Sequence, residues 1–323
     1  MKKERVFMKH LFIVNPTAGK QDATEAVAAK VAMAMANRRN EEYEIYITKA
    51  SKDAVVKIRR DARSERDLRV YACGGDGTLN ECATAAVGLS HVAVTHLPYG
   101  TGNDFVRMFE DEKEHFLDLN KLLDGEIRPI DIVKCNDHYS LNICSVGMDA
   151  RIGAGVHKYD KIPLLGGIGA YVVSTVAEFI KGIPMPMRIE CGGRVFEGEF
   201  SLACACNGSY YGGGFHPVPT ARPDDGVLDI LVVKAISRLA FLRLVGIYAK
   251  GESRKLPQYI THIRSDCMII DSKEPILLGM DGEAIYSNHI EMRVIPGGVN
   301  FIFPRGMKYF SETEYREPAI ASK

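Results

Sequence analysis

In its first third the chain alternates two kinds of segment. Apolar runs short enough for strands (residues 11–14, 68–73 and 91–97) and one run that alternates in strand fashion (residues 43–48) are separated by single stretches with helical spacing (residues 23–38, 51–62 and 76–87). Asn15-Pro16 and Gly74-Gly75 stop two of the runs, as residues that end extended structure do. One helix between successive strands is too long for a hairpin and the usual length of a crossover. The strands are therefore expected to lie parallel, with helices on the faces of the sheet and ligand-binding turns at the carboxyl ends of the strands.

The pattern changes near Asp131. Beyond it β-rich runs dominate, at residues 130–135, 139–146, 187–190, 194–206, 228–234, 259–271, 276–278, 291–295 and 300–303. Helix-like stretches interrupt them at 169–181 and 239–246. This order predicts a mostly antiparallel second domain, a sandwich or a barrel. A chain of 323 residues is long for one domain and suits two.

Charge narrows the function classes. Lys and Arg number 41, and so do Asp and Glu, so the formal net charge is zero. That argues against a surface built wholly to attract nucleic acid or membrane. Local patches remain: residues 49–69 carry eight cations against Asp53, Asp61, Glu65 and Asp67, a balance of +4. A solvated helix face explains that balance, and transient attraction to anionic lipid is the alternative. The eight cysteines include no C-x-x-C pair and lie in apolar runs, which predicts buried free thiols rather than a zinc site. The opening residues MKKERVFMKH lack the apolar stretch of a signal peptide, and Met8 offers an alternative start. The apolar, uncharged stretch of residues 162–177 is shorter than a membrane span and holds Gly166, Gly167 and Gly169. A soluble, cytoplasmic protein is expected.

The strongest local signal is Gly74-Gly75-Asp76-Gly77-Thr78, between an expected strand and an expected helix. Glycines there let backbone N–H groups approach a phosphate, and a helix N-terminus adds positive potential. The segment lacks both the Lys-Ser/Thr ending of a P-loop and the spacing of G-x-G-x-x-G. Asp76 would repel bare phosphate, and makes sense if it holds Mg²⁺ beside the phosphates, directly or through water. The competing reading is a tight strand–turn–helix with Asp76 as N-cap. Asn15-Pro16-Thr17-Ala18-Gly19-Lys20 and Tyr99-Gly100-Thr101-Gly102-Asn103-Asp104 follow two further strands. Each alone is an ordinary turn, but three Gly-rich turns at one sheet edge are what a nucleotide cradle needs.

Further along, Asp281-Gly282-Glu283 stands between strand-like runs. Two carboxylates flanking a glycine suit a general base beside a group that handles metal or nucleotide, and they also suit a hairpin turn with solvated acids. Pro223-Asp224-Asp225-Gly226 reads first as a turn and second as a metal site of carboxylate and carbonyls. His216 reads as a packed or exposed turn residue rather than a catalytic one.

Seven blocks come in an order and spacing that resemble one family: NPTAGK, GGDGTLNE, PYGTGND, DIVKCN, NICSVGMDA, CNGSYYGGGFHPVPTARPDDGVLDI and MDGEA. It is the soluble diacylglycerol kinase catalytic-domain family, which takes in bacterial diacylglycerol and related lipid kinases and the catalytic regions of sphingosine and ceramide kinases. GGDGT alone is not specific, since NAD kinases and some phosphofructokinases share it. The resemblance runs from Asn15 to about Phe303. It implies an α/β + β fold, a Rossmann-like α/β nucleotide-binding domain followed by an antiparallel β-sandwich domain. The first would span residues 9–130, joined by residues 304–316, and the second, a lipid-acceptor domain, residues 131–303.

Carried over residue by residue, the resemblance implies ATP contacts at Asn15, Pro16, Gly19, Thr48, Gly75, Asp76, Gly77, Thr78, Asn80, Glu81 and Thr101. It implies an acidic network of Asp76, Asp104 and Asp131 that holds Mg²⁺ through waters, and a structural metal site at Asp225 completed by the carbonyls of Arg222 and Val227. Asp281 and Glu283 match the acidic pair assigned to proton acceptance and nucleotide contact, and Asp281 is favoured as the base.

The implied reaction passes the γ-phosphate of ATP to a lipid hydroxyl, with diacylglycerol giving phosphatidic acid. Mg²⁺ and loop amides would neutralise the triphosphate. The acyl chains need an apolar groove, and residues 162–180 either line it or form an ordinary core helix. Expected partners are the lipid, a membrane surface met transiently and a second copy of the chain, with no nucleic acid. One rival is an NAD kinase-like enzyme acting on a soluble hydroxyl, against which the GTGND and YYGGGF blocks speak. The other is a lipid- or nucleotide-binding regulator without turnover, against which the intact acidic set speaks.

Overall fold

The computed structural model describes residues 8–19, 21–38, 41–147, 150–151, 184–281 and 283–309. The stretch expected to line an acyl groove, residues 162–180, lies outside them, as do the helix-like residues 169–181. Contacts divide the chain into two units, one running to Ile130 and resuming at Gly297, the other running from Asp131 to Pro296.

The first unit is built on β1 (Lys9–Val14), β2 (Glu42–Ile47), β3 (Leu68–Gly74) and β4 (Val92–Pro98), in the order β2-β1-β3-β4. All three pairings are parallel, with Leu11 opposite both Glu44 and Val70, and Val70 opposite Val94. Leu11, Phe12, Ile13 and Val14 are all buried. A strand covered on both faces needs a continuous apolar run, which explains why β1, β3 and β4 show no alternation. In β2 no residue is fully buried, and Glu42 and Glu44 keep it charged.

Helices α1 (Thr24–Met35), α2 (Asp53–Asp61) and α3 (Asp76–Ala86) connect the strands. Val27, Val31 and Met35 form the buried face of α1 at steps of four. Six of the eight cations of the basic stretch 49–69 are exposed, as a solvated face requires, and Lys57 is the buried exception. Lys57 is 4% exposed, and with Lys9 it shares the carboxylates of Glu44 and Asp61 at 2.6–2.8 Å. After β4 come α4 (Asp104–Arg107), a 3-10 segment (Glu110–Leu117) and α5 (Leu119–Leu123), none of which the sequence pattern indicated.

The chain leaves this unit within β5 (Glu126–Cys135) and returns within β13 (Glu283–Phe303). The returning end pairs in parallel with β4, Asn300 opposite Ala93 and Phe301 opposite Val94. Thr95 Oγ1 donates to Ile302 O at 2.7 Å. Rings pack beside it, with centroids 5.2 Å apart for Phe105–Phe301, 5.7 Å for Phe109–Phe303 and 4.9 Å for Phe301–Phe303. Such pairs contribute about 0.5–1.5 kcal/mol each beyond their burial. Side-chain packing therefore holds the segment more than its short ladder does.

The second unit contains β6 (His138–Ser140), β7 (Ile143–Gly147), β8 (Met185–Cys191), β9 (Arg194–Cys206), β10 (Leu228–Lys234), α6 (Arg238–Ala249), β11 (Ile260–Ser265) and β12 (Cys267–Met280), with the first part of β13. Among the described residues these strands pair antiparallel along the order β11-β10-β9-β7-β12-β13, and β8 bonds antiparallel to β9 and β12. Side chains of β9 alternate between two cores. Ala203 and Ala205 join Leu228, Ile230 and Val232 in one, and Leu202, Cys204 and Cys206 join Leu231, Val233 and Tyr248 in the other. Burial on both faces accounts for the unbroken apolar run. The run 259–271 proves to be two strands broken at Asp266, whereas 291–295 and 300–303 belong to one strand that continues through Pro296. The eight cysteines are free, and all but Cys267 are buried. Among the described residues no helix is long and apolar enough to cross a membrane.

Candidate active site

The turns after β1, β3 and β4 meet within the first unit. A Cβ on Gly100 would lie 2.4 Å from Gly75 Cα, so the two backbones touch where no side chain fits. Gly19 has a φ of 79°, and a Cβ there would stand 2.4 Å from Tyr99 O. Hydrogen bonds tie the turns together. Tyr99 N and Gly100 N donate to Gly74 O at 2.8 and 3.0 Å. Asn15 Nδ2 donates to Thr78 Oγ1 at 3.1 Å, while Asn15 Oδ1 accepts from Thr17 N and Oγ1 at 3.0 and 2.8 Å, an Asx turn around Pro16.

His96, which the sequence did not single out, supports this junction from below. It is fully buried and lies 3.0 Å from Gly74 O through Nε2. The carbonyl accepts only, so Nε2 carries the proton. Burial holds its pKa below the ordinary value, against the pull of the Asp76 charge.

Gly75, in extended conformation, is the N-cap of α3, and Asp76 is its first residue. The reading of Asp76 as that helix's own cap is thereby corrected. Asp76 Oδ1 instead accepts from Phe105 N of α4 at 3.2 Å. A Cβ on Gly102 would lie 2.9 Å from Asp76 Oδ2 and 3.6 Å from Asp104 Oδ2, so both carboxylates turn to the same glycine. Asp104 is 5% exposed, with Arg107 Nε 3.6 Å from its Oδ1.

Glu81 accepts from Lys52 N at 2.8 Å and from Ser51 Oγ at 3.4 Å, and so holds the turn after β2. Lys52 takes a φ of 66°, which starts α2 two residues after Ser51. Thr48 N donates to Val14 O at 2.9 Å, beside the turn after β1. Thr78 and Asn80 are buried, Gly77 lies in the first turn of α3, and Thr101 is exposed after β4. All the expected ATP-contact residues thus fall at or next to the carboxyl ends of this unit's strands.

In the second unit, Asp281 opens the turn between β12 and β13, where Met280 pairs with Glu283. The turn is a hairpin, but Asp281 is no solvated acid. Its Oδ2 accepts from Ser140 Oγ at 2.8 Å, Leu141 N at 2.6 Å and Asn142 N at 2.9 Å, and its Oδ1 from Ile143 N at 3.4 Å. The carboxylate anchors the turn between β6 and β7, and so splits the run 139–146 that reads as one strand. Asp281 also adopts a φ of 34°, uncommon for a residue with a side chain. Asn207 braces the same turn, donating through Nδ2 to Leu141 O at 2.7 Å and to Asp131 O at 3.1 Å. The polar Asn142 inside an apolar run was the one sequence signal of this arrangement. Glu283 has a side chain 35% exposed, with His138 Nδ1 3.6 Å from its carboxylate.

Asp131, Asp225 and Asp229 gather in this unit too. Asp131 Oδ2 accepts from Gly226 N at 2.7 Å, and Asp225 Oδ1 from Val227 N at 3.2 Å. Arg264 pairs with Asp225, and His262 Nε2 lies 2.6 Å from Asp229. Burial pushes the Asp225 carboxyl up to about 6, with Arg264 opposing and the Asp229 and Asp131 charges adding to the rise. Arg222 donates to both oxygens of Asp224 at 2.9 and 2.8 Å, which gives Asp224 a structural role. Among the described residues no three His, Cys, Asp or Glu side chains are placed to hold a metal by themselves. His216 stacks on Tyr210 with centroids 3.7 Å apart, a packed turn residue.

Glycine-rich turns at the carboxyl ends of parallel strands are the plan of α/β proteins that bind phosphate groups. Residues 9–135 match the family described as Diacylglycerol kinase catalytic domain, and residues 142–303 the one described as YegS C-terminal NAD kinase beta sandwich-like domain. The chain belongs to the diacylglycerol kinase catalytic-domain family of lipid kinases. A "Probable lipid kinase YegS-like" protein of Pseudomonas aeruginosa is 29% identical over 297 residues, 91% of this chain and 95% of that one. A "Diacylglycerol kinase" of Bacillus subtilis is 27% identical over 273 residues, 84% of this chain and 88% of that one. A crystal structure from Bacillus anthracis str. Sterne, provisionally described as a diacylglycerol kinase, is similar at a TM-score of 0.71 and 28% identity, covering 94% of this chain and 99% of that one.

Proposed function

We propose that the protein transfers the γ-phosphate of ATP to the hydroxyl of a membrane lipid, with diacylglycerol as the first candidate and phosphatidic acid as product. The observation that carries this reading is the meeting of the three glycine turns, with Asp76 and Asp104 turned to Gly102. Backbone N–H groups at the start of α3 would face the phosphates, while Asn15 and Thr78 keep the turns in register and Glu81 holds the turn after β2.

Asp76 and Asp104 fit a Mg²⁺ ion, because both offer hard oxygen donors and both turn to the same glycine, close beside one another. When bound, the ion supplies charge neutralisation for the triphosphate. Phosphate oxygens and waters would complete the shell of such an ion, as Mg²⁺ prefers. Asp131, the third acid of the expected network, orders the turn at Gly226 in its own unit. Asp225, with the carbonyls of Arg222 and Val227, suits a structural cation, because its charge is disfavoured by burial and by two neighbouring acids. We also take the second unit to be a sandwich, a reading supported by its two apolar cores.

The proton acceptor is Glu283 in this reading, although the resemblance favoured Asp281. Four donors engage the oxygens of Asp281, so its lone pairs are already committed to the turn between β6 and β7. The Glu283 side chain is 35% exposed and stands beside His138. The remainder of the catalysis is positioning and charge stabilisation.

The test is a panel of acceptors incubated with γ-labelled ATP and Mg²⁺. It holds vesicles containing diacylglycerol, phosphatidylglycerol or a sphingoid base, and NAD. Label in a lipid is expected. Label in NADP and in no lipid would reject the reading.

A further inference from the structure

Helix α6, RLAFLRLVGIYA, is apolar on every side and holds no acidic residue. A helix of that composition is ordinarily buried all round. Here Tyr248, Leu244 and Ile247 pack into the second core of the unit, while Leu239 and Leu242 remain 60% and 61% exposed. At about 100° per residue, Arg238, Leu242, Gly246, Leu239, Lys250 and Arg243 follow one another in that order across one exposed arc. The centre of the arc is apolar, and Gly246 has open space where a Cβ would stand. Arg238 edges it on one side, and Lys250 and Arg243 on the other. The charge continues beyond the helix. Residues 234–255 carry six cations against one acid, Glu252, which pairs with Lys255 at 2.8 Å. That excess of five positives stands in a chain whose net charge is zero.

We propose that α6 seats the protein on an anionic membrane surface. Leu239 and Leu242 enter the boundary between headgroups and acyl chains, and Arg238 and Arg243 reach back to lipid phosphates with their long stems. Each cation close to an anionic leaflet adds to the attraction, and salt weakens it. The helix is already formed and tied at both ends, by Ser237 Oγ accepting from Ala240 N at 3.2 Å and by Ala249 O accepting from His216 N at 3.0 Å. Docking therefore orders little new backbone. A second copy of the chain fits this face worse, because two-fold pairing sets its cations against their own copies. The inference rests on the reading that the acceptor is a membrane lipid, and adds the element by which the protein reaches it.

Flotation with phosphatidylcholine vesicles, with and without phosphatidylglycerol, tests the proposal on the full chain. Wild-type protein is expected to float with the anionic vesicles and to be released by salt. The pairs Leu239→Asn with Leu242→Asn, and Arg238→Glu with Arg243→Glu, are each expected to lower partitioning by about tenfold or more. Both should keep the wild-type unfolding midpoint and the wild-type rate on a monomeric short-chain diacylglycerol. Wild-type protein that ignores anionic vesicles, or variants that float as it does, would overturn the proposal. So would a fall in oligomeric mass in the variants, which would make the face a contact between copies. Flotation lost in the variants while no protein phosphorylates any lipid would uphold the docking and reject the acceptor reading.

Discussion

Asp281 and Glu283 stand two residues apart and do different work. Asp281 satisfies three backbone N–H groups of Leu141, Asn142 and Ile143, all buried residues, and each such group left without a partner costs about 1–3 kcal/mol. Asp281→Ala should therefore destabilise the protein by about 3 kcal/mol or more in urea unfolding. Glu283→Gln should leave the midpoint and the KM for ATP in place and lower kcat by about 10²–10⁴-fold. An inactive Asp281→Ala of full stability would return the proton-accepting role to Asp281. Nothing in the sequence pairs Asp281 with Ser140, because the partners lie 141 residues apart.

His10 gives a second residue-level expectation. It is 1% exposed, with Nδ1 2.8 Å from Tyr71 Oη and with Glu41 3.1 Å from Nε2 at a poor angle for a hydrogen bond. Burial, with Glu41 opposing and Arg69 and Arg38 reinforcing, lowers its pKa from 6.5 to about 4. The unfolded chain thus takes up this proton at a higher pH than the folded one. The contribution of neutral His10 to stability is complete above pH 6.5 and is lost as pH falls towards 4, up to about 3 kcal/mol. Urea midpoints between pH 7.5 and 4.5 should show a smaller acid decline in His10→Gln than in wild type. Equal declines would assign the acid sensitivity to other groups.

At the scale of elements, the turns matter more than the strands they end. Gly100→Ala would place a methyl group 2.4 Å from Gly75 Cα, so the turns must part. Overpacking of that kind costs about 1–3 kcal/mol, and calorimetric affinity for ATP should fall by about tenfold. Unchanged affinity would place the nucleotide elsewhere. The parallel strands and their helices were legible because each is short, carries the residue pattern of its element and is bounded by turn residues. The second unit was less legible. Long strands such as β12 and β13 pass through bulges and Pro296, and they change partners where nothing local marks the change. In the basic stretch 49–69 most cations are solvated as composition indicates, and one departs from that face. Lys57 is buried by two carboxylates, one of them on β2, which composition within the stretch does not reveal. The membrane contact we propose falls on α6, whose leucines read in the sequence as ordinary helix.

At the scale of the whole molecule, a zero net charge conceals a division of labour. Acids gather at the turns of each unit, while a cation-rich segment surrounds α6. Two compact units, an α/β unit and a β-rich one, match a family whose relatives carry the names of lipid kinase and diacylglycerol kinase. Motif order made the candidate site legible, since most of its residues lie within a few positions of a glycine turn. Its supports were not, because His96, Ser140 and Asn207 act through contacts distant in sequence. The most direct measurement is the transfer of label from γ-labelled ATP to the acceptor panel, run with wild type and with Asp76→Asn. Label in a lipid phosphate from wild type is expected, falling about a thousandfold in Asp76→Asn at an unchanged unfolding midpoint and vanishing when divalent ions are chelated. A folded wild-type protein that binds ATP yet labels no lipid, or an Asp76→Asn protein as fast as wild type, would contradict it.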